Sequence, residues 1–342
     1  MLPLHYSSSF TPYQNRPFLF PSHFQNPRLP LQSFPIKLLQ PHPITFPLPS
    51  SLLSSSSNTQ QHHSSQNNKP TQNEKDEDGI PANFVKTLAK FKSSHNHIRV
   101  LEVSRRADHP FAGSRLLLLD TPGNIHSISF RFKLLTNTYF DVFATLPPIL
   151  PPGPIGILGF GAGSAARLIL ELYPDAVIHG WELDPSVVSV GREYFGLSKL
   201  ERQYPDKLFI YLGDALKADV RDGFSGILVD LFCKGSLIPE LQESETWEKL
   251  KRNLRGGGRI MVNCGGNCVE AEDPLRDGNL IKEETLKAMN RVFGGELFVL
   301  DLGRRKEDSC IALTGKLPSV DVWKQAMPLS LRCYVDMWTP FS

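Results

Sequence analysis

The chain has 342 residues, with 37 lysines and arginines against 35 aspartates and glutamates, for a formal net charge of +2. This near balance lacks the basic excess of a nucleic-acid-binding protein, and no run of about 18 apolar residues predicts a membrane span. The five cysteines are few and odd in number, which favours reduced thiols over a disulfide framework, and their spacing predicts no metal site.

The first 78 residues differ in composition from the rest of the chain. The first acidic residue is Glu74, and residues 1–73 are rich in serine, proline, glutamine and histidine, with only four basic residues. This pattern is typical of an organelle transit peptide, which predicts a chloroplast protein, with the mitochondrion as the alternative. An ordinary disordered tail is the competing interpretation. We expect residues 1–78 to be a disordered transit peptide and linker, and residues 74–90 to form a charged junction.

A small N-terminal β piece with one helix is predicted over residues 79–150. Apolar and polar residues alternate in two segments, and a short apolar run lies between them. Thr-Pro-Gly-Asn at 121–124 has the turn chemistry of a hairpin. A helix is predicted over 137–146, where two following prolines end it. The predicted strands cover 98–105, 116–119 and 125–130.

Residues 151–316 alternate between strand and helix patterns. Such alternation predicts an α/β fold with a mostly parallel sheet covered on both faces. Two apolar runs separated by a polar turn at 303–308 predict a closing antiparallel hairpin, and residues 317–342 form a C-terminal extension. The predicted parallel strands cover 155–159, 177–182, 207–212, 226–231 and 258–263, the helices 164–173, 185–195, 239–254 and 281–293, and the hairpin strands 296–302 and 310–314.

A glycine-rich turn follows the first strand of this domain. Ile155 to Leu158 predict a buried strand, and Gly159, Gly161 and Gly163 let the backbone turn sharply before a helix begins. At a strand–turn–helix junction, backbone N–H groups and the helix dipole point at a ligand. The sequence therefore predicts a nucleotide site at this turn.

Acidic residues end the next three predicted strands. Ligands of open parallel sheets bind outside the carboxyl ends of the strands, so these side chains should surround one ligand. The carboxylate of Glu182 can accept hydrogen bonds from ribose hydroxyls, and that of Asp214 can accept one from an adenine amino group. Asp230 is placed to lie over the reacting centre. Each residue alone could be a helix cap or a solvated loop end. A dinucleotide fingerprint is the alternative, but it expects glycine or alanine at Ser164 and gives Asp214 no role.

These motifs resemble the class I S-adenosylmethionine-dependent methyltransferase superfamily, which has a Rossmann-like fold, and more narrowly its spermidine synthase branch of polyamine aminopropyltransferases. The resemblance extends over about residues 98–316, because upstream motifs look like the β piece and helix of that branch. The motifs are Leu117-Leu-Leu-Asp120, His126, Tyr139-Phe-Asp141, Gly159-Phe-Gly-Ala-Gly163, Glu182-Leu-Asp184, Gly213-Asp-Ala215, Asp230 and Leu254-Arg-Gly-Gly-Gly258.

The resemblance implies a co-substrate, S-adenosylmethionine or its decarboxylated form, a small-molecule acceptor and no metal. It implies that Asp230 takes a proton from the attacking amine and that Tyr139 positions this amine. Proteins of this branch commonly pair through the N-terminal β piece, so a homodimer is a further expectation. The implied co-substrate-binding residues are Gly159, Phe160, Gly161, Gly163, Glu182, Leu183, Asp214, Ala215 and His126.

Three positions depart from the pattern of that branch. Ala162 replaces an aspartate that holds the amino group of the donor, Cys233 replaces an aspartate that anchors a diamine, and His126 replaces a glutamine. Multiply cationic polyamines need several carboxylates, so the losses favour an intact donor and methyl transfer. Aminopropyl transfer from decarboxylated S-adenosylmethionine is the alternative, and a non-catalytic nucleotide-binding protein is the second alternative.

The segment from Cys233 to Glu240 is predicted to form a lid over the acceptor. Its only charged residue before Glu240 is Lys234. A lid with a positive charge and no carboxylate of its own before Glu240 indicates an acceptor that is not strongly cationic.

Overall fold

The computed structural model describes residues 80–121, 123–266, 269–273, 275–303 and 309–342. The predicted transit peptide, the first part of the charged junction and most of the polar turn at 303–308 lie outside the described residues. Within the described ranges, no helix has the length and apolar character that crossing a membrane requires.

The N-terminal piece is a four-stranded antiparallel sheet in sequence order. The predicted hairpin joins its last two strands, as expected. Residues 85–90, however, are strand and not only a charged junction. The period of two is broken there by a register shift between Thr87 and Ala89, which hides the pattern of a strand. The strands are β1 (Val85–Lys92), β2 (His97–Val103), β3 (Ser114–Leu118) and β4 (Ile125–Phe130).

A short helix, α1 (Tyr139–Phe143), follows the small sheet and is shorter than the predicted 137–146. It begins late because Asn137 has a left-handed backbone, with φ of 56°. Thr138 then caps the helix, its side-chain oxygen accepting a hydrogen bond from the backbone N–H of Phe140. The cap fixes Tyr139 at the first helical position, from which its side chain reaches the main sheet.

The main domain is an eight-stranded sheet in which neighbouring strands follow the order β14-β12-β13-β11-β8-β5-β6-β7. Five neighbouring strands, β11, β8, β5, β6 and β7, are parallel, whereas β13, β12 and β14 pair antiparallel with their neighbours. This arrangement confirms the predicted α/β fold with its closing hairpin. The eight strands of this sheet are β5 (Ile155–Leu158), β6 (Ile178–Glu182), β7 (Leu208–Leu212), β8 (Phe224–Val229), β11 (Leu254–Gly265), β12 (Leu297–Asp301), β13 (Cys310–Thr314) and β14 (Thr339–Pro340). Two short strands, β9 (Phe232–Cys233) and β10 (Ser236–Leu237), pair with each other in a separate hairpin. The helices are α2 (Ser164–Leu172), α3 (Pro185–Tyr194), α4 (Leu197–Gln203), α5 (Ser244–Arg252), α6 (Gly278–Phe293) and α7 (Val320–Gln325).

Successive residues of the central strands face opposite sides of the sheet. Ile157 and Leu228 pack in one buried cluster with α1 and α2, whereas Leu158 and Val229 pack in a second cluster with α5 and α6. The sheet is therefore covered on both faces, and its carboxyl edge is left for a ligand.

The predicted helix over 239–254 is wrong in extent. A short 3-10 turn covers Pro239–Gln242, α5 covers Ser244–Arg252, and Leu254 already belongs to β11. The three glycines that follow Arg255 extend along the strand instead of ending it, so β11 is longer than the predicted 258–263. Helix α4 was also not predicted.

The C-terminal extension packs on the main domain. Strand β14 pairs antiparallel with β12 at the sheet edge. Trp323 is buried, and its indole N–H donates to the backbone oxygen of Thr145 at 2.9 Å. Residues 317–342 therefore contribute to the core next to α1.

Asp184 fastens the small sheet to the main domain. This buried carboxylate caps α3 by accepting a hydrogen bond from the backbone N–H of Ser186 at 2.9 Å. It also accepts from the side chains of Asn96, at 2.8 Å, and Ser93, which form the turn between β1 and β2. One side chain thus serves a helix end and the contact between the two sheets.

We expect Asp184→Ala to lower the free energy of unfolding by about 3 kcal/mol, since a cap and buried hydrogen bonds are lost together. Asp277→Ala is the matched control, because Asp277 caps α6 on the surface without a partner from the small sheet among the described contacts. It should lose about 1 kcal/mol. Urea unfolding of both variants checks this prediction. Equal losses would mean that the hydrogen bonds from Ser93 and Asn96 contribute nothing to the stability of the protein.

Candidate active site

The predicted site residues meet at the carboxyl edge of the main sheet. The parallel pairing of β5 with β8 and β6 places Gly159, Asp230 and Glu182 side by side just at this edge. The next strand, β7, ends at Leu212, and Asp214 follows two residues later. The edge therefore carries the arrangement in which open α/β sheets bind ligands.

The glycine turn is tied to the strands on both sides. The backbone N–H of Gly159 donates to the oxygen of Trp181 at 3.2 Å, and a Cβ atom at Gly159 would lie 2.1 Å from the backbone oxygen of Asp230. Gly161 donates its N–H to a carboxylate oxygen of Glu182 at 2.9 Å. Both glycines have a positive φ, as Gly163 has at the start of α2. The turn lies too close to its neighbours for any side chain at Gly159.

Glu182 holds this turn in place. One carboxylate oxygen accepts the hydrogen bond from Gly161, and the other accepts the backbone N–H of Asp184 at 3.0 Å. Burial raises the pKa of Glu182, and the charge of Asp184 adds to this rise, while the backbone hydrogen bonds oppose it. A carboxylate has about four acceptor positions, so that of Glu182 can still accept a further hydrogen bond. The next residue, Leu183, leaves 54% of its surface exposed.

Asp214 lies at the outer end of the edge. Its carboxylate caps a short 3-10 turn by accepting the N–H of Leu216 at 2.9 Å, and it lies 3.4 Å from the ammonium group of Lys217. Ala215 is buried beneath it. These contacts are those of a helix cap, so a role of Asp214 in reading adenine stays a prediction.

The ring of Phe160 is buried against Gly180 and against Gly163 of the turn. A Cβ atom at Gly180 would lie 2.1 Å from this ring, and Phe160 is buried. Its backbone N–H donates to the oxygen of Trp181 at 2.8 Å. Phe160 thus supports the turn from below, and its predicted contact with a ligand stays a prediction.

Asp230 is the centre of a hydrogen-bonded group. The hydroxyl of Tyr139 donates to one carboxylate oxygen at 2.7 Å, and the side-chain amide of Asn263 donates to the other at 3.0 Å. Burial raises the pKa of Asp230, and this effect outweighs the hydrogen bonds from Tyr139 and Asn263 and the nearby His126, which lower it. A carboxylate held in this way is suited to accept a proton.

Asn263 was missed by the sequence prediction, which considered only acidic residues and the glycine turn at the ends of the strands. It was the last residue of the predicted strand over 258–263 and follows three apolar residues. A polar residue at the carboxyl end of a buried parallel strand is the signal that pointed to it.

His126 is oriented by a buried carboxylate. One oxygen of Asp120 lies 3.2 Å from the Nε2 atom of His126. Asp120 also accepts hydrogen bonds from the backbone N–H groups of Gly123 and Asn124 and from the side chain of Asn124. Burial alone would raise the pKa of Asp120, but the hydrogen bonds from His126 and Asn124 hold it below its usual value. The orientation of His126 is therefore fixed.

One pocket joins these groups. Asp230, Tyr139, His126 and Asn263 all line it, together with mostly apolar side chains from β4, α1 and the hairpin of β9 and β10. Of the predicted site, the structure thus brings the two catalytic candidates and His126 into one pocket. The glycine turn with Glu182 lies beside it, and Asp214 with Ala215 lies beyond Glu182.

Among the described residues, no group of three or more His, Cys, Asp or Glu side chains is placed to hold a metal ion.

Comparison with known proteins decides the fold. No protein-family profile matches the chain. A probable polyamine aminopropyl transferase of Bifidobacterium longum is 24% identical over 237 residues, which are 66% of this chain and 49% of that protein. A polyamine aminopropyltransferase of Chromobacterium violaceum is 33% identical over 110 residues, 31% of this chain and 40% of that protein. A solved probable spermidine synthase from Corynebacterium glutamicum superposes with a TM-score of 0.52 at 17% identity, over 72% of this chain and 93% of the solved one.

The chain has the spermidine synthase-like fold. The resemblance inferred from the motifs is therefore confirmed at the level of architecture. The chain spans about half the length, or less, of the curated relatives that it matches.

Two positions of this spermidine synthase-like fold carry no carboxylate. Ala162 is buried among apolar side chains that include Val187 and Val190, and its N–H donates to the hydroxyl of Ser127 at 2.9 Å. Cys233 is exposed and ends β9, just before the turn of the hairpin. The departures identified in the sequence thus leave Asp230 as the carboxylate of the pocket.

Proposed function

We propose that this protein is a transferase that moves an aminopropyl group from decarboxylated S-adenosylmethionine to an amine. The observation that carries this proposal is the buried carboxylate of Asp230, held by Tyr139 and Asn263 beside the glycine turn. The names of the relatives in sequence favour aminopropyl over methyl transfer, although the losses at Ala162 and Cys233 favoured methyl transfer.

In this reaction the amine attacks the carbon bonded to the sulfonium sulfur. A C–N bond forms as the C–S bond breaks, and its electron pair stays on sulfur, so that the neutral thioether methylthioadenosine leaves. The amine proton passes to Asp230. Because the leaving group is already good, the protein supplies mainly alignment and a base. Tyr139 and Asn263 hold the carboxylate in one orientation for this transfer.

The glycine turn and Glu182 are proposed to hold the donor. N–H groups at the start of α2 and the helix dipole favour electron-rich groups there. Glu182 would accept from ribose hydroxyls, and Asp214 from the adenine amino group. The exposed side chain of Leu183 supports this placement, because an adenine ring would cover an apolar surface that is otherwise left in water.

Methyl transfer from intact S-adenosylmethionine is the second candidate, and Ala162 favours it. The intact donor carries a carboxylate that an aspartate at this position would repel. Ala162 removes this repulsion and also the anchor for a free amino group. A non-catalytic nucleotide-binding protein is the third possibility and requires that neither donor be turned over.

The products distinguish these candidates. We incubate the full chain with each donor and a panel of amines, and expect methylthioadenosine from the decarboxylated donor. S-adenosylhomocysteine from the intact donor would support methyl transfer instead. If neither product forms, and neither donor raises the melting temperature, the proposal fails.

The pH dependence of kcat/KM tests the base. Since the pKa of Asp230 is raised, activity should fall as the pH decreases through this raised value and protonates the carboxylate. Asn263→Ala removes a hydrogen bond that lowers this pKa, so the acid limb of the profile should move to higher pH. Asn253→Ala is the control, because its amide donates to Ala218 away from the pocket. An unmoved limb in Asn263→Ala would contradict the role of Asp230.

Location and assembly are also proposals. The serine-rich, acid-free composition of residues 1–73 supports import into chloroplasts, which a fluorescent fusion of residues 1–78 checks in plant cells. A homodimer formed through the four-stranded sheet is checked by light scattering of the purified chain.

A further inference from the structure

The pocket above Asp230 has mostly apolar walls. Among the described residues that line it, Asp230 carries the only carboxylate. The apolar side chains come from the small sheet, α1, β9 and the segment after β11. They are Phe111, Ile125, Ile128, Phe140, Phe232 and Val269.

Apart from Ser309, the other polar groups of the lining already have hydrogen-bond partners. The side-chain amide of Asn124 binds both backbone groups of Glu270: its oxygen accepts from the N–H at 2.9 Å, and its nitrogen donates to the carbonyl oxygen at 2.7 Å. Thr138 caps α1, and His126 is paired with Asp120. The hydroxyl of Ser309 is buried without a hydrogen-bond partner among the described residues, and it is neutral. The described walls thus offer a second ammonium group no carboxylate.

The half-buried side chain of Val269 lines the pocket on a segment that is held by backbone hydrogen bonds. Val269 belongs to the segment 269–273, which Asn124 holds at Glu270 and which donates the N–H of Glu272 to the oxygen of Lys234 at 2.9 Å. The acidic side chains of this segment, Glu270, Glu272 and Asp273, are not among the residues that line the pocket, and that of Glu272 accepts hydrogen bonds from the backbone N–H and the hydroxyl of Thr121.

This lining selects between acceptors of equal size. A second ammonium group placed against these walls would lose its hydration without gaining an ion pair, which weakens binding. A methyl group at the same place would gain from burial, by about fourfold in affinity for each methylene removed from water. Asp230 satisfies one amine only.

We infer that the acceptor of this site is an apolar monoamine, a primary amine on an alkyl or aryl body without a second positive charge, and not a diamine or polyamine. This inference rests on the proposed function, because it assigns the pocket at Asp230 to the acceptor. It names a substrate class that the names of the relatives do not suggest.

Hexylamine and 1,5-diaminopentane form a matched pair, since both have seven non-hydrogen atoms in a chain and differ by a terminal methyl in place of an ammonium group. Isothermal titration of the full chain saturated with methylthioadenosine measures both affinities. We expect hexylamine to bind at least about tenfold more tightly. Equal or tighter binding of 1,5-diaminopentane overturns the inference and leaves the proposed function standing.

Two further outcomes separate the inference from the function. If methylthioadenosine binds but neither amine does, the acceptor inference is wrong and the donor site stands. If methylthioadenosine itself does not bind, the proposed function fails, and the inference fails with it.

A carboxylate introduced into the wall of the pocket tests the same inference through a gain of binding. Val269→Asp places an acid in the wall, and Val269→Asn is its neutral counterpart on the same surface segment. We expect the aspartate variant to bind 1,5-diaminopentane about tenfold more tightly than the asparagine variant. Melting temperatures confirm that both variants fold. Equal affinities of the two variants would show that charge in this wall does not select the acceptor.

Discussion

Asp230→Asn is expected to lower kcat by about a hundredfold to ten-thousandfold, because the reaction loses its proton acceptor. Asparagine has nearly the same shape as aspartate. Its side-chain oxygen can still accept a hydrogen bond from Tyr139 or Asn263, so the pocket should keep its form. The amide, however, cannot take the proton of the attacking amine.

Donor binding should survive this change. The residues proposed to hold the donor lie on the glycine turn and at Glu182, beside Asp230 and not on it. The affinity for methylthioadenosine, measured by titration, should therefore change by less than about threefold. Initial rates at saturating donor and amine then isolate the chemical step.

Asp175→Asn is the matched control, since Asp175 is exposed on the loop before β6. It should leave both kcat and donor affinity unchanged. If Asp230→Asn retains the kcat of the unmodified chain, Asp230 is not the base. The pocket would then serve only to bind the acceptor.

The sequence predicts the parallel sheet and the glycine turn well, because both have local signatures. Buried parallel strands are short apolar runs, as at Ile155–Leu158, and a turn that needs a positive φ requires glycine. The rule that ligands bind at the carboxyl edge then places Glu182 and Asp230 near each other without any coordinates. The pairing of β5, β6 and β8 confirms this proximity.

The hydrogen-bond partners of these residues are not local, so the sequence does not reveal them. Asn263 is 33 residues from Asp230, and Tyr139 is 91 residues away. Whether a carboxylate faces a ligand or caps a helix depends on such contacts, as Asp214 shows with its bond to Leu216. Strand β1 was missed for a different reason, since its register shift disrupts the alternation that predicts a strand.

Gly159→Ala is expected to have the largest effect on stability. Gly159 has φ of 87°, which disfavours any residue with a side chain, and its Cβ atom would lie 2.1 Å from the backbone oxygen of Asp230. The left-handed backbone alone costs about 1–2 kcal/mol. Because a rigid backbone atom must also move, we expect a total loss above about 4 kcal/mol in the free energy of unfolding.

Gly196→Ala separates these two contributions. Gly196 also has a left-handed backbone, with φ of 75°, but no atom lies within 4 Å of its Cβ position. It should lose only the backbone part, about 1–2 kcal/mol, in urea unfolding. Any folded Gly159→Ala protein should in addition lose kcat, because the alanine pushes Asp230 out of line with Tyr139. Equal losses of stability in the two variants would mean that the glycine turn does not pack against Asp230, and the alignment of the base with the donor site would then need another explanation.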